Sequence, residues 1–121
     1  MSYFSYVAIP CSDFKRASDF YNAITGGMLT NAPNMPFPMA YFKDKEGKNV
    51  GHLFQFNGLN PGADGPLVYL NLAEDLNEIA NKIPAAGGQV IMPKTMISST
   101  AGYWAIFMDT EGNKLALHSM K

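Results

Sequence analysis

Side chains that do chemistry are few in this sequence. It holds two histidines, His52 and His118, and one cysteine, Cys11. His118 ends the run Leu115-Ala116-Leu117-His118, whose alternation reads as a strand. There an imidazole can serve as a polar contact or a general base in a pocket, or simply bond to a neighbour. His52 sits in a comparable strand run, Val50-Gly51-His52-Leu53-Phe54, and reads first as a structural residue. Cys11 precedes the first helix, where a helix dipole lowers a thiol pKa, but no base accompanies it in sequence, so it reads as a small buried residue. The acids Asp44, Glu46, Asp109 and Glu111 fall in turns and read as turn caps with solvated side chains. No Gly-x-Ser-x-Gly is present, and neither Gly-x-Gly-x-x-Gly nor Gly-x-x-x-x-Gly-Lys-Ser/Thr occurs. Hydrolase and nucleotide-binding chemistries of those kinds are therefore not indicated.

Composition narrows the classes further. At 121 residues with 47% hydrophobic and 16% charged side chains, the chain can bury one substantial core. A net charge of −1 argues against a nucleic-acid partner, which needs a basic face. No apolar run approaches a membrane span, and residues 1–4 show no basic region leading into an apolar one. One cysteine excludes an internal disulfide and fits a reducing compartment. These features predict a cytoplasmic protein. Eight methionines and 12% aromatic residues suit an adaptable apolar pocket or interface.

The elements that position these groups come as a repeat. Ala105-Ile106-Phe107-Met108-Asp109-Thr110-Glu111-Gly112 echoes Ala40-Tyr41-Phe42-Lys43-Asp44-Lys45-Glu46-Gly47, so Ala, Phe, Asp, Glu and Gly recur 65 residues apart. Each copy reads as a hairpin around a polar turn. Residues 4–10 read as a first strand. Ser12 is the expected N-cap of a helix running to about Ile24, with Phe14, Ala17, Phe20, Tyr21 and Ile24 as its apolar stripe. Gly26-Gly27 ends it. A short edge strand near 28–30, a Pro-rich loop at 31–38 and strands at 39–43 and 50–56 complete the unit. Residues 57–66 read as a linker. The second unit repeats the order: a strand at 67–72, a helix opening at Glu74 and shortened or kinked by Pro84, Gly87-Gly88 as its stop, a short strand at 89–92, a loop at 93–102, and strands at 103–108 and 114–119. The expected fold is α+β: one domain over residues 1–121, with unit one at about 4–56 and unit two at about 67–119. Each β-α-β-β-β unit forms a curved mixed sheet with its helix outside, and a cleft lies between the concave faces.

This order, together with Val7-Ala8-Ile9-Pro10-Cys11-Ser12-Asp13-Phe14, Ala86-Gly87-Gly88-Gln89-Val90-Ile91-Met92-Pro93-Lys94-Thr95 and Phe107-Met108-Asp109-Thr110-Glu111-Gly112-Asn113, resembles the vicinal oxygen chelate superfamily. That superfamily holds glyoxalase I, bleomycin resistance proteins and extradiol dioxygenases, and the likeness is to its short glyoxalase-like branch. The resemblance implies a homodimer. It also implies a divalent metal held by His, Glu or Gln from the first and last strands of each unit. Carried over by spacing, those ligand positions fall on Tyr6, Gly51, Leu67 and Ala116, which hold no ordinary ligand except the phenol oxygen. No cofactor is therefore expected. His118, two residues past Ala116, shares its face, whereas His52 faces away from Gly51 unless a bulge intervenes.

The cleft-lining candidates follow from alternation. Tyr6 and Ala8 oppose Val7 and Ile9; Tyr69 and Asn71 oppose Val68, Leu70 and Leu72. In the second hairpin either Tyr103, Ala105 and Phe107 or Trp104 and Ile106 join Ala116 and His118, depending on register. Met96 and Ile97 are placed to cover the cleft from their loop. Tyr6, Tyr69, Asn71, Trp104 and His118 are the candidate ligand-binding residues, with His118 also the candidate catalytic group. A metal-free binder of a flat or apolar small molecule ranks first. A metal-dependent lyase, isomerase or dioxygenase with displaced ligands is second, and a protein-interaction module third.

Overall fold

A computed structural model describes residues 3–121, so the first two residues of the N-terminal stretch read for a signal lie outside it. Eleven elements follow in the order β1 (Val7–Pro10), α1 (Phe14–Thr25), β2 (Leu29–Asn31), β3 (Met39–Lys43), β4 (Asn49–Phe54), β5 (Val68–Leu70), α2 (Asn77–Ala80), α3 (Ile83–Ala86), β6 (Gln89–Ser98), β7 (Gly102–Met108) and β8 (Lys114–Ser119). They form two four-stranded mixed sheets, β1-β4-β3-β2 and β5-β8-β7-β6. In each, the first strand runs parallel to the last and the other pairings are antiparallel. The predicted α+β fold with one sheet per repeat is what the chain adopts.

The first helix forms where its stripe predicts. Ala17, Phe20, Tyr21 and Ile24 are buried, while Lys15 and Asp19 pair on the outer side. Its cap differs from the expectation: Asp13, not Ser12, accepts from the Arg16 N–H, because the Ser12 hydroxyl is drawn to Glu111. Gly26 closes the helix in the left-handed conformation. In unit two the single predicted helix is instead two short ones. Pro84 lies in the first turn of α3, where a missing N–H is tolerated, rather than near the end of a longer helix.

The inner faces of both sheets meet α1 in one shared core. Ile9, Phe20, Tyr21 and Leu53 from unit one cluster with Ile83, Phe107, Leu115 and Leu117 from unit two. Phe20 meets Phe107 across the two units at 6.2 Å, and within unit one Tyr21 meets Phe42 edge-on at 5.4 Å. Gly88 has no room for a side chain, since a carbon there would sit 2.7 Å from the Met108 carbonyl.

The expected loop at 93–102 is mostly strand. β6 continues to Ser98, with register shifts between Val90 and Met92, Met92 and Thr95, and Met96 and Ser98. An edge strand absorbs Pro93 in this way, because its outward side needs no ladder bond. Met96 and Ile97 are therefore exposed strand residues, not parts of a covering loop.

Candidate functional site

Strand register fixes which side chains share each face. In sheet two Val68, Leu70, Leu115 and Leu117 turn into the core. Tyr69 pairs with Ala116, Trp104 with His118 and Ile106 with Ala116, and these form the opposite, open face. The register question in the second hairpin is thereby resolved in favour of Trp104 and Ile106. Ala116 is fully buried between its paired neighbours.

On this face the rings of Tyr69 and Trp104 lie parallel, 7° apart in plane, with centroids 5.9 Å apart. His118 stands edge-on to Tyr69 at 6.4 Å. Its Nε2 lies 2.6 Å from the Ala101 carbonyl, which fixes the ring. Tyr69 remains about half exposed at 49%. Three of the five candidate residues are thus brought together. Asn71 is exposed and borders, with Tyr69, a concavity of about 900 Å³ between β1 and β5, walled by Val7, Phe42, Gly51 and Leu70.

Tyr6 belongs to a second cluster, on the open face of sheet one. Its ring is 5.1 Å from His52, which meets Phe54 at 5.4 Å; Phe37 and Phe56 extend the series. Among the described residues no ring contact links this cluster to that of Tyr69.

His52 is the residue the spacing argument missed. The turn-to-turn repeat of 65 residues equates Ala116 with Gly51. A register shift between Phe42 and Lys43 gives β4 one extra residue, Val50, so Gly51 pairs with Val7 on the core side and His52 with Ala8 on the open side. His52 is the true counterpart of Ala116, since each pairs with the second residue of its first strand. Gly51 is small for a packing reason: any side-chain carbon there would collide with the Val7 carbonyl. The hydrophobic pattern carried the correct spacing, because the core leucines Leu53 and Leu117 are 64 residues apart.

With this correction the four positions implied for a metal hold Tyr6, His52, Leu67 and Ala116. One imidazole and one phenol do not make a set that fits a divalent ion. Among the described residues no group of three or more His, Cys, Asp or Glu side chains converges. Burial lowers the His52 pKa, which favours its neutral form.

The turn acids divide. Asp44 caps its own turn, accepting from the N–H groups of Glu46 and Lys48. Asp109 caps its own turn too, accepting from the N–H groups of Glu111 and Asn113, but it and Glu111 are not solvated as expected; they join the two units. Asp109 is buried and accepts from the Tyr21 hydroxyl at 2.7 Å and from Asn113, whose amide also reaches the Pro10 carbonyl. Tyr21 is pushed up in pKa by burial first and the Asp109 charge second. The Glu111 side chain is fully covered and accepts from the N–H groups of Ser12 and Asp13 and from Arg16 Nε at 2.7 Å. Cys11 is buried and donates to the Phe54 carbonyl. Its thiol is pushed up to about 12, by burial first and then by Glu111 and Asp109.

The sequence matches the model of the Glyoxalase/Bleomycin resistance protein/Dioxygenase superfamily over residues 3–117. The chain belongs to this superfamily. Among solved structures, a hypothetical protein of S. aureus aligns with a TM-score of 0.75 at 22% identity, covering 98% of this chain and 95% of that one. A glyoxalase/bleomycin resistance protein/dioxygenase family enzyme of Burkholderia phytofirmans gives 0.69 at 18% identity over 97% and 98%. A mutant of the fosfomycin resistance protein FosX of Listeria monocytogenes, complexed with Mn(II) and 1S,2S-dihydroxypropylphosphonic acid, gives 0.72 at 12% identity over 100% and 94%. These likenesses speak to the fold. Comparison with curated proteins gives no match.

Proposed function

We propose that this superfamily member binds a small planar molecule by stacking, without a metal ion. The observation that carries the reading is the parallel Tyr69–Trp104 pair, with His118 at its edge, on an open sheet face. Parallel aromatic rings present an apolar surface of defined orientation, and His118 supplies a polar anchor beside it. Asn71, which borders the concavity together with Tyr69, is assigned a secondary contact, while Tyr6 stands with His52 in the other cluster. The chain acts as one domain in the cytoplasm and pairs as a homodimer that buries exposed apolar side chains such as Ile91 and Met96. Among the described residues no helix is long and apolar enough to cross a membrane.

A metal-dependent lyase or dioxygenase is the second reading, favoured by His52 standing beside Tyr6 on the open face of sheet one. Elemental analysis of untagged protein, followed by thermal-shift screening of small aromatic compounds, separates the two. The first reading requires substoichiometric metal and a rise in melting temperature with a flat aromatic ligand. A full equivalent of a divalent metal, with activity lost on chelation and on His52→Ala, would establish the second.

A further inference from the structure

We infer that the Tyr69–Trp104–His118 face selects planar heteroaromatic molecules that carry a ring N–H donor; this rests on the stacking reading above. The Ala101 carbonyl can only accept a hydrogen bond, so the 2.6 Å contact places a proton on His118 Nε2. The neutral ring then keeps its lone pair on Nδ1, which has no hydrogen-bond partner among the described residues.

The carbonyl that imposes this tautomer is itself fixed. The Ala101 N–H donates to Ser98 Oγ at 2.9 Å. Gly102 next to it has a φ of +84° and lies so close to the Ser119 carbonyl that no side chain fits. Trp104 faces His118 directly across the strand pair. The indole N–H of Trp104 also has no hydrogen-bond partner among the described residues. Beside the stacking surface, the two polar groups without a partner are thus an acceptor, His118 Nδ1, and a donor, the Trp104 indole N–H. A flat ring with an N–H at its edge satisfies Nδ1 while stacked; a ring of the same shape without one leaves that lone pair unmatched.

Indole and benzofuran, matched in shape and differing in the ring N–H, are the probes. Nuclear magnetic resonance titration of the full chain, followed at the Trp104 indole resonance, gives both affinities. Indole should bind roughly 3- to 10-fold more tightly, the range one neutral hydrogen bond supplies. His118→Phe, which keeps a ring in the strand, should remove that advantage, so that indole and benzofuran bind with equal affinity. The nitrogen spectrum of the wild-type imidazole needs no variant and should show Nε2 protonated and Nδ1 bare. Equal affinities with clear Trp104 shifts would overturn the donor selection and leave the stacking reading standing. An Nδ1–H tautomer would overturn it too. No Trp104 shift with either probe would overturn both.

Discussion

Replacing Glu111 with glutamine separates the charge of this side chain from its shape. Burial alone would raise its pKa, but the Arg16 guanidinium, the backbone N–H groups of Asp13 and Ser12 and the Thr110 hydroxyl outweigh burial and bring it from 4.5 to about 2. Each pKa unit is worth about 1.4 kcal/mol, so ionised Glu111 stabilises the fold by up to about 3 kcal/mol, less what solvent screening at half-exposed Arg16 removes. The sign follows from a folded pKa below the unfolded one. The contribution is complete above pH 4.5 and is lost as pH falls toward about 2. Urea unfolding of the wild type and Glu111→Gln, repeated from pH 7 downward, measures it. The variant should be about 2–3 kcal/mol less stable at pH 7, and the gap should narrow steadily below pH 4.5. A gap that is absent at pH 7, or that stays constant down to pH 3, would refute the assignment of this carboxylate as the charged joint between the units.

Other outcomes follow from the same packing. Tyr21→Phe removes the hydroxyl that meets Asp109 in the core and should cost about 1–3 kcal/mol in chemical denaturation. Gly88→Ala places a carbon against Phe20, Ile83 and the Met108 carbonyl, and should lower stability by roughly 1–3 kcal/mol in the same assay. Cys11, with its thiol near 12 and its side chain buried, should resist a thiol reagent at pH 8 in the native protein and react at once when urea is present.

What could be read from the chain was what local pattern determines. The stripe of Ala17, Phe20, Tyr21 and Ile24 gave the helix, Gly26 and Gly87 gave the stops, and the repeated hairpins gave two sheets. The failures lie where one residue changes a face or where partners are distant in sequence. The extra residue in β4 turned His52 outward, and turn spacing alone conceals such a bulge. Pro93 read as loop because its place on a sheet edge is a tertiary fact. Glu111 read as solvated because its partners, Ser12, Asp13 and Arg16, lie more than 90 residues away. At the candidate site, alternation placed Tyr69 and His118 on one face, and pairing with His118 decided that Trp104 joins them.

The chain has a single tryptophan, Trp104, so its indole resonance is a unique reporter of the proposed site. The most direct measurement is a titration of small planar compounds against that resonance, with and without a chelator. Stacking on the Tyr69–Trp104 face predicts saturable shifts at Trp104, unchanged by chelation and abolished by Tyr69→Ala. Shifts that vanish on chelation, or a bound compound that leaves Trp104 unmoved, would contradict it.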